Sequence, residues 1–155
     1  MDTLYDKNLL ELMQIADKTS DMSINRIQEI NNFALNGKYK CIGIAHCITF
    51  SAEARIIKQF LSKNFTVFTV DCKYGRLRKQ DLFGVHSGRI LCNPAGQAQY
   101  LNENKTDLNI SLGLCVGHDM IFSKKSSAPV TSLFTKDFTN NNNPARAVSD
   151  IKRAL

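Results

Sequence analysis

Four cysteines of this sequence each follow an apolar run of residues that resembles a β-strand. They are Cys47, Cys72, Cys92 and Cys115. If these runs are strands of one parallel sheet, their carboxyl ends share an edge, which is where open α/β sheets bind ligands. Thiols far apart in sequence would then lie close together. A thiolate is both a ligand for zinc or iron and a nucleophile, so the pattern predicts a metal or iron–sulfur site or a thiol-dependent enzyme.

His118 adds an imidazole to this set of thiols. It lies three residues after Cys115 in "LGLCVGHDMIF", and Cys92 and Cys115 each precede a predicted helix, whose N-terminus favours a thiolate. The imidazole could ligate a metal or exchange protons with a nucleophilic cysteine. The predicted metal ligands are Cys47, Cys72, Cys92, Cys115 and His118, and the catalytic candidates are Cys92, Cys115 and His118.

A basic cluster follows Cys72 in the stretch "CKYGRLRKQ", which contains four cations within seven residues: Lys73, Arg76, Arg78 and Lys79. These charges would favour a thiolate and attract an anion, so Lys73 and Arg76 are candidates for binding a small anionic ligand. A solvated face is the alternative. Nucleic acid is an unlikely partner, because only two aromatic residues flank the cluster and base stacking needs more.

Burial is the alternative explanation for each cysteine taken alone, since free cysteine is among the most buried residue types. Cys41 lies inside its predicted strand and is assigned to the core. His46 is assigned a structural role, and His86 lies in a long loop without an identifiable partner.

Length and composition are those of one ordinary soluble domain. The chain has 155 residues, 43% hydrophobic and 22% charged, with a formal net charge of +6. No apolar run approaches the length of about 20 residues that spans a bilayer, and the N-terminal stretch is acidic, so we expect a cytoplasmic protein with no membrane contact. Five cysteines, an odd number, argue against a disulfide framework. A homo-oligomer is possible. No glycine pattern predicts a nucleotide cofactor.

The elements that must position these residues alternate between helix and strand. Helices are predicted over 3–18, from Ile24 to a cap at Gly37, from a cap at Ser51, from Asn93, over 116–125 and over 143–155. Strands are predicted over 39–47, 65–72, 106–115 and 128–136, with a short fifth over 88–92. This alternation favours one α/β domain over 1–155, in which helices flank a mainly parallel sheet of four or five strands in a Rossmann-like three-layer arrangement, with 1–22 as an N-terminal helical extension.

The sequence resembles a microbial family known as domain of unknown function 1847, whose members are often labelled metal-binding. The resemblance runs from about Ile24 to Val148. It is carried by "IGIAHC", "DCKYG", "CNPAGQAQYLN", "TDLNISLGLCVGHDMIF", "SSAPVT" and "KDFTNNNNP". It implies that the four strand-end cysteines and His118 are motif positions of the family.

The resemblance also implies a set of polar companions: Lys73, Asn93, Gln97, Asn102, Asn109, Asp119, Thr131, Lys136 and Asp137. From this set Asn93, Gln97, Asn109, Asp119, Thr131 and Lys136 join Lys73 and Arg76 as predicted substrate- or anion-binding residues. Family members usually begin with a cysteine-rich segment, where this sequence has a cysteine-free helix. Phe138 and Asn142 stand where the family has an arginine and a histidine.

Three functions follow, in order of preference. The first is a metal-binding protein that holds zinc or an iron–sulfur cluster in a cysteine-lined pocket at the carboxyl edge of the sheet. The second is a thiol-dependent enzyme that acts on a small anionic metabolite through a cysteine nucleophile and His118. The third is a non-catalytic binding module. Whether the protein is an enzyme stays open at this point.

Overall fold

A four-stranded parallel sheet is the centre of the computed structural model, which describes residues 4–154. Its strands, β1 (Cys41–His46), β2 (Thr66–Asp71), β3 (Leu108–Leu112) and β4 (Val130–Phe134), lie in the order β2-β1-β3-β4. The predicted α/β sheet is therefore confirmed, with four strands. The stretch "GRILC" is not a fifth strand, because Ile90 makes only an isolated antiparallel bridge with Arg78.

Seven helices flank this sheet within the described residues. They are α1 (Lys7–Thr19), α2 (Arg26–Asn36), α3 (Ser51–Leu61), α4 (Lys79–Phe83), α5 (Pro94–Glu103), α6 (Val116–Lys125) and α7 (Ala145–Ala154). None of them is both long enough and apolar enough to cross a membrane. The start predicted at residue 3 and the end predicted at residue 155 lie outside the described residues.

The sheet separates two apolar cores, because successive side chains of β1 point to opposite faces. Ile42 and Ile44 pack in the core on the α2 and α3 side, whereas Ala45 packs with Leu101 of α5 and Phe122 of α6 on the other. Burial on both faces explains why the strands read as continuous apolar runs. Because α6 follows the carboxyl end of β3, its N-terminus lies at the carboxyl edge of the sheet.

Local signals set the starts of the helices. Asn93 accepts a hydrogen bond from Gly96 N at 2.9 Å and Pro94 is the first residue of α5, as predicted. Ser51 is not the cap that was predicted for α3. A 3₁₀ turn over Ile48–Phe50 runs directly into this helix, so Ser51 already has helical geometry and its hydroxyl donates to Ile48 O at 2.7 Å.

The segment 73–91 leaves the sheet after β2 and returns before α5. It contains α4 and a 3₁₀ turn over Tyr74–Arg76. Backbone hydrogen bonds hold its two limbs together, from Leu91 N to Leu77 O at 2.8 Å and from Lys79 N to Arg89 O at 2.9 Å. A hydrogen bond of 2.8 Å from Asn93 N to Cys72 O closes its base. This closure places the end of β2 beside the start of α5.

Candidate functional site

Cys47 and Cys72 leave neighbouring strands side by side. The register pairs His46 of β1 with Asp71 of β2, and each cysteine is the next residue along its strand. Ile48 N donates to the Cys72 sulfur at 3.4 Å, and Cys47 N donates to Leu112 O of β3 at 3.1 Å. The carboxyl ends of three strands thus meet at these two thiols.

Lys136, which follows β4, donates a hydrogen bond to the sulfur of Cys47. Its Nζ lies 2.7 Å from the Cys47 sulfur, and Thr49 Oγ1 donates to the same sulfur at 3.1 Å. Burial alone would raise the pKa of the Cys47 thiol, which is only 5% exposed, but the contacts with Lys136 and Thr49 outweigh burial and lower it. Burial lowers the pKa of Lys136, and its contacts with Cys47 and Cys115 reverse that effect and raise it. The contact therefore favours the thiolate form of Cys47 and the ammonium form of Lys136.

Cys72 lies behind this pair and is protonated at neutral pH. It is 1% exposed, and burial raises the pKa of its thiol to about 12, opposed by the hydrogen bond from Ile48 N and reinforced by the neighbouring thiol of Cys92. The Cys92 sulfur accepts from Lys73 Nζ at 3.5 Å. Cys47, Cys72 and Cys92 are thus neighbours, here called the thiol row, and the sulfurs of Cys47 and Cys92 each accept from a lysine.

A cavity of about 500 Å³ opens at the Cys92 end of the thiol row and is here called the Cys92 cavity. Its polar wall carries Lys73, Arg89, Cys92 and His118, and its apolar wall includes Leu82 and Phe83 of α4. None of the described residues that line it is an aspartate or glutamate. The lining favours an anion that also has an apolar part.

His118 lies in the first turn of α6, whose capping position is held by Cys115. The Cys115 side chain makes no capping hydrogen bond to the helix, so its thiol is free to approach Lys136. Burial first, and then the charges of Lys136 and Lys73, lower the pKa of His118. Its imidazole is therefore neutral at pH 7 and can accept a proton.

Gln97 and Asn93 support the site from behind. Gln97 is fully buried, and its Nε2 donates to His46 O at 3.1 Å and Val70 O at 2.9 Å, next to the ends of β1 and β2. Asn93 Nδ2 donates to Tyr74 O at 3.2 Å. These bonds attach α5 to both strands. Gln97 Oε1 and Asp119 Oδ1 are buried and find no hydrogen-bond partner among the described residues.

Asn109 and Thr131 lie at the amino end of the sheet, away from the thiols. Asn109 accepts from Thr106 Oγ1 and donates to Ser126 Oγ, each at 2.8 Å. Thr131 accepts from Arg26 Nη2 at 2.7 Å. The structure gives both side chains partners within the fold rather than a place at the carboxyl edge.

The remaining predicted residues do not line the Cys92 cavity. Arg76 is exposed on its turn, and Asn102 donates to Lys125 O at 3.0 Å. Asp137 caps the 3₁₀ turn over Phe138–Asn140, and its own backbone N–H donates to Asn142 Oδ1. Phe138 is 63% exposed and its ring lies 5.4 Å from Lys136 Nζ, so it stands over the contact between Lys136 and Cys47.

The cysteines assigned to a metal are not arranged as a closed metal site. Within residues 4–154 no group of three or more His, Cys, Asp and Glu side chains could hold a metal ion. The sulfurs of Cys47 and Cys92 instead accept hydrogen bonds from lysines. These lysine contacts differ from a tetrahedral thiolate site, in which the sulfurs contact the metal ion itself.

Two residues of the site were missed by the sequence analysis. Thr49, two positions after Cys47, could have been found by asking which hydroxyl follows each strand-end cysteine. Arg89 carried no usable signal. It reaches the Cys92 cavity only because residues 73–91 fold back on themselves.

Comparison with known proteins gives a family but no activity. The family described as "Protein of unknown function (DUF1847)" matches residues 2–133. The uncharacterized protein MJ0455 of Methanocaldococcus jannaschii is 42% identical over 145 residues, which cover 90% of this chain and 75% of that protein. No solved structure matches the chain.

Proposed function

Because the chain belongs to this DUF1847 family, whose description states no activity, we propose a function from the site itself: a thiol-dependent enzyme that acts on a small anionic compound through Cys92. One observation carries the proposal. Cys92, Lys73 and His118 line the same cavity, so a nucleophile, a cation and a neutral imidazole face one bound molecule.

The anion is held by the cations of the cavity. Lys73 Nζ already lies 3.5 Å from the Cys92 sulfur, so an anionic group bound to Lys73 and Arg89 is brought close to the nucleophile. The apolar side chains of α4 cover the rest of the compound. Positioning of this kind is a major source of catalytic rate enhancement.

His118 and Lys73 have different roles: His118 exchanges the proton, and Lys73 stabilises the negative charge of the thiolate. His118, neutral because its pKa is lowered, accepts the proton of the Cys92 thiol. The ammonium group of Lys73 stabilises the thiolate that results. After the thiolate has attacked an electrophilic atom of the substrate, the imidazolium returns the proton to the leaving group. Cys92 is preferred to Cys47 as the nucleophile because Cys47 is buried and bound to Lys136.

Two alkylating reagents that differ only in charge test this proposal. Iodoacetate is an anion and iodoacetamide is neutral, so the ratio of their rates at one thiol reports the local charge. Trypsin separates the relevant cysteines, since Cys72, Cys92 and Cys115 fall in the peptides 64–73, 90–105 and 106–124. We expect the iodoacetate to iodoacetamide ratio at Cys92 to be about tenfold higher in the folded protein than in urea, which corresponds to about 1.4 kcal/mol of attraction.

Matched lysine variants complete this experiment. Lys73→Met should remove most of the preference for iodoacetate, whereas Lys58→Met, at an exposed position on α3, should leave it unchanged. An equal ratio in the folded and unfolded protein, or one that Lys73→Met does not alter, would contradict the proposal.

Metal binding is the second candidate function. It is supported by the thiol row, in which the Cys72 thiol neighbours those of both Cys92 and Cys47. The lysine contacts favour the enzyme, because the ammonium of Lys136 takes the position on the Cys47 sulfur that a metal ion would need. Metal analysis of anaerobically purified protein and of its four cysteine-to-serine variants tests it. A stoichiometric metal lost in these variants would reverse the preference.

A further inference from the structure

In the thiol row a cysteine that lines a cavity lies beside a cysteine that is buried. Cys92 lines the Cys92 cavity, whereas Cys72 is 1% exposed and has the Cys92 thiol as its side-chain hydrogen-bond neighbour. The hydrogen bond of 2.8 Å from Asn93 N to Cys72 O joins the two backbones beside them. Two thiols held together, of which only one meets solvent, are the arrangement that thiol–disulfide exchange uses.

We propose that Cys72 and Cys92 form a reversible disulfide by exchange with a low-molecular-weight disulfide that enters the Cys92 cavity. This activity goes beyond the proposed function. It shares Cys92 with it, but it needs no anionic substrate and no proton transfer by His118.

The exchange takes two steps. The Cys92 thiolate attacks one sulfur of the small disulfide, whose S–S bond breaks, and the first small thiol leaves with the proton that Cys92 has lost. A mixed disulfide now links Cys92 to the second half of the reagent. The Cys72 sulfur then attacks the Cys92 sulfur, the mixed disulfide breaks, and the second small thiol leaves with the proton of Cys72. The two cysteines lose two electrons, and the small disulfide gains them.

The surroundings of Cys72 favour the second step once the first has occurred. Burial is the largest cause that raises the pKa of Cys72, and the Cys92 thiol adds to it through its hydrogen bond and its charge. Conversion of Cys92 to a mixed disulfide removes that addition. The hydrogen bond from Ile48 N at 3.4 Å remains and stabilises the Cys72 thiolate as it forms. Formation of the mixed disulfide thus makes Cys72 easier to ionise than it is beside the free Cys92 thiol, while burial continues to raise its pKa.

Cys47 is the competing partner for Cys72 and is held back by its own contacts. Its sulfur accepts from Lys136 at 2.7 Å and from Thr49 at 3.1 Å, and it is buried away from the Cys92 cavity. Attack on Cys72 by Cys47 would first require Cys72 to be part of a disulfide, and within the thiol row Cys92 alone lines the cavity that the reagent enters. The expected linkage is therefore between Cys72 and Cys92.

The test uses the reduced full chain and 2-hydroxyethyl disulfide, a small neutral reagent. After reaction the remaining thiols are blocked at acid pH and the chain is digested with trypsin. We expect peptide 64–73 linked to peptide 90–105 as the main product, with two small thiols released per chain. In Cys72→Ser the reaction should stop at a mixed disulfide on Cys92 with one thiol released. Cys41→Ser should react as the wild type does.

Two outcomes would overturn the proposal: a mixed disulfide on Cys92 that persists in the wild type, or a main linkage between peptides 64–73 and 41–55, which contains Cys47. The wild-type linkage is decisive even if Cys72→Ser does not fold, and Cys72→Ala serves as a second variant. The result is read separately from the alkylation ratio, so failure of the disulfide leaves the proposed enzyme intact and failure of the charge preference leaves the disulfide intact.

Discussion

At the amino end of the sheet the polar side chains are bonded to one another and to the backbone, whereas at the carboxyl end two lysines donate to sulfur. Asn109 has a hydroxyl partner on each side, and Asp107 accepts from Lys40 N at 2.7 Å and Cys41 N at 2.9 Å. Lys136 and Lys73 instead donate to thiols. Sulfur is a weak acceptor, so these lysines gain little stability from it unless it is ionised.

The two ends of the sheet therefore distinguish polar residues that stabilise the fold from polar residues that contact the thiols or the cavity. At the amino end each polar side chain satisfies a group that folding has buried, which is what stability requires. At the carboxyl end Lys136 and Lys73 donate to the sulfurs of Cys47 and Cys92, and Lys73 also borders an open cavity. Variants at the amino end should therefore change unfolding and leave the thiols unaffected, whereas variants at the carboxyl end should change the ionisation or reactivity of the thiols.

The largest effect on stability is expected for Asn109→Ala. The substitution removes two buried hydrogen bonds and leaves a cavity, which should lower the free energy of unfolding by about 2–3 kcal/mol. Urea denaturation measures this loss, with Asn143→Ala at an exposed position as the control. The iodoacetate preference of Cys92 should not change. A loss below 1 kcal/mol, or an altered preference, would remove the distinction between the two ends.

A smaller effect, and one that depends on pH, is expected for Lys136→Met. The pKa of Cys47 is lowered from its ordinary 9.0 in the folded protein, so the pair stabilises the fold above pH 9 and loses that contribution as the pH falls through the folded value. The pKa of Lys136 is raised from 10.5, so its contribution is present below 10.5 and is lost as the pH rises through its folded value. The variant should cost about 1 kcal/mol near pH 9 and less near pH 6.

Ultraviolet absorbance of the thiolate checks the same variant directly. The thiolate absorbance that appears at a pH below 9.0, the ordinary pKa of cysteine, should be lost in Lys136→Met and retained in Lys58→Met. If both variants titrate as the wild type does, Lys136 does not hold the Cys47 thiolate.

The smallest effect is expected for Thr131→Val, which removes the acceptor of Arg26 at the amino end. Both side chains are partly exposed to solvent, so the free energy of unfolding should fall by only about 0.5 kcal/mol. Thermal unfolding compared with Thr139→Val, at an exposed position, is sensitive enough to detect it. Any change in alkylation at Cys92 would place Thr131 in the site after all.

The fold was predictable because local and global signals agree. Strands covered on both faces have continuous apolar sequences, as in "CIGIAH", and Asn93 with Pro94 is a strong start signal for a helix. The alternation of these elements predicts a parallel sheet, and a parallel sheet brings its carboxyl ends together. The positions of Cys47 and Cys72 side by side follow from that topology alone.

The partners of each thiol were not predictable in the same way. Whether a residue lies at the amino or the carboxyl end of a strand depends on where the strand begins, which the sequence does not give to within a few residues. Asn109, the second residue of β3, was therefore grouped with residues from the opposite end. Pairing of Lys136 with Cys47 requires the end of β4 to lie near the end of β1 across β3, a distance that sequence spacing does not encode. Whether the thiols share a metal or pair with lysines depends on side-chain rotamers, which cannot be predicted from the sequence.

The closed base of segment 73–91 has a consequence for how this protein can change. Because Cys72 O and Asn93 N meet at 2.8 Å, the segment departs from the fold and rejoins it at nearly one point. Its length and composition can therefore vary without moving β2 or α5, and the closure entropy of a longer segment grows only slowly. The part of the cavity wall that segment 73–91 supplies can therefore be replaced without disturbing the sheet. Libraries that replace residues 77–89 would alter which compounds enter while the sulfur chemistry beneath stays the same.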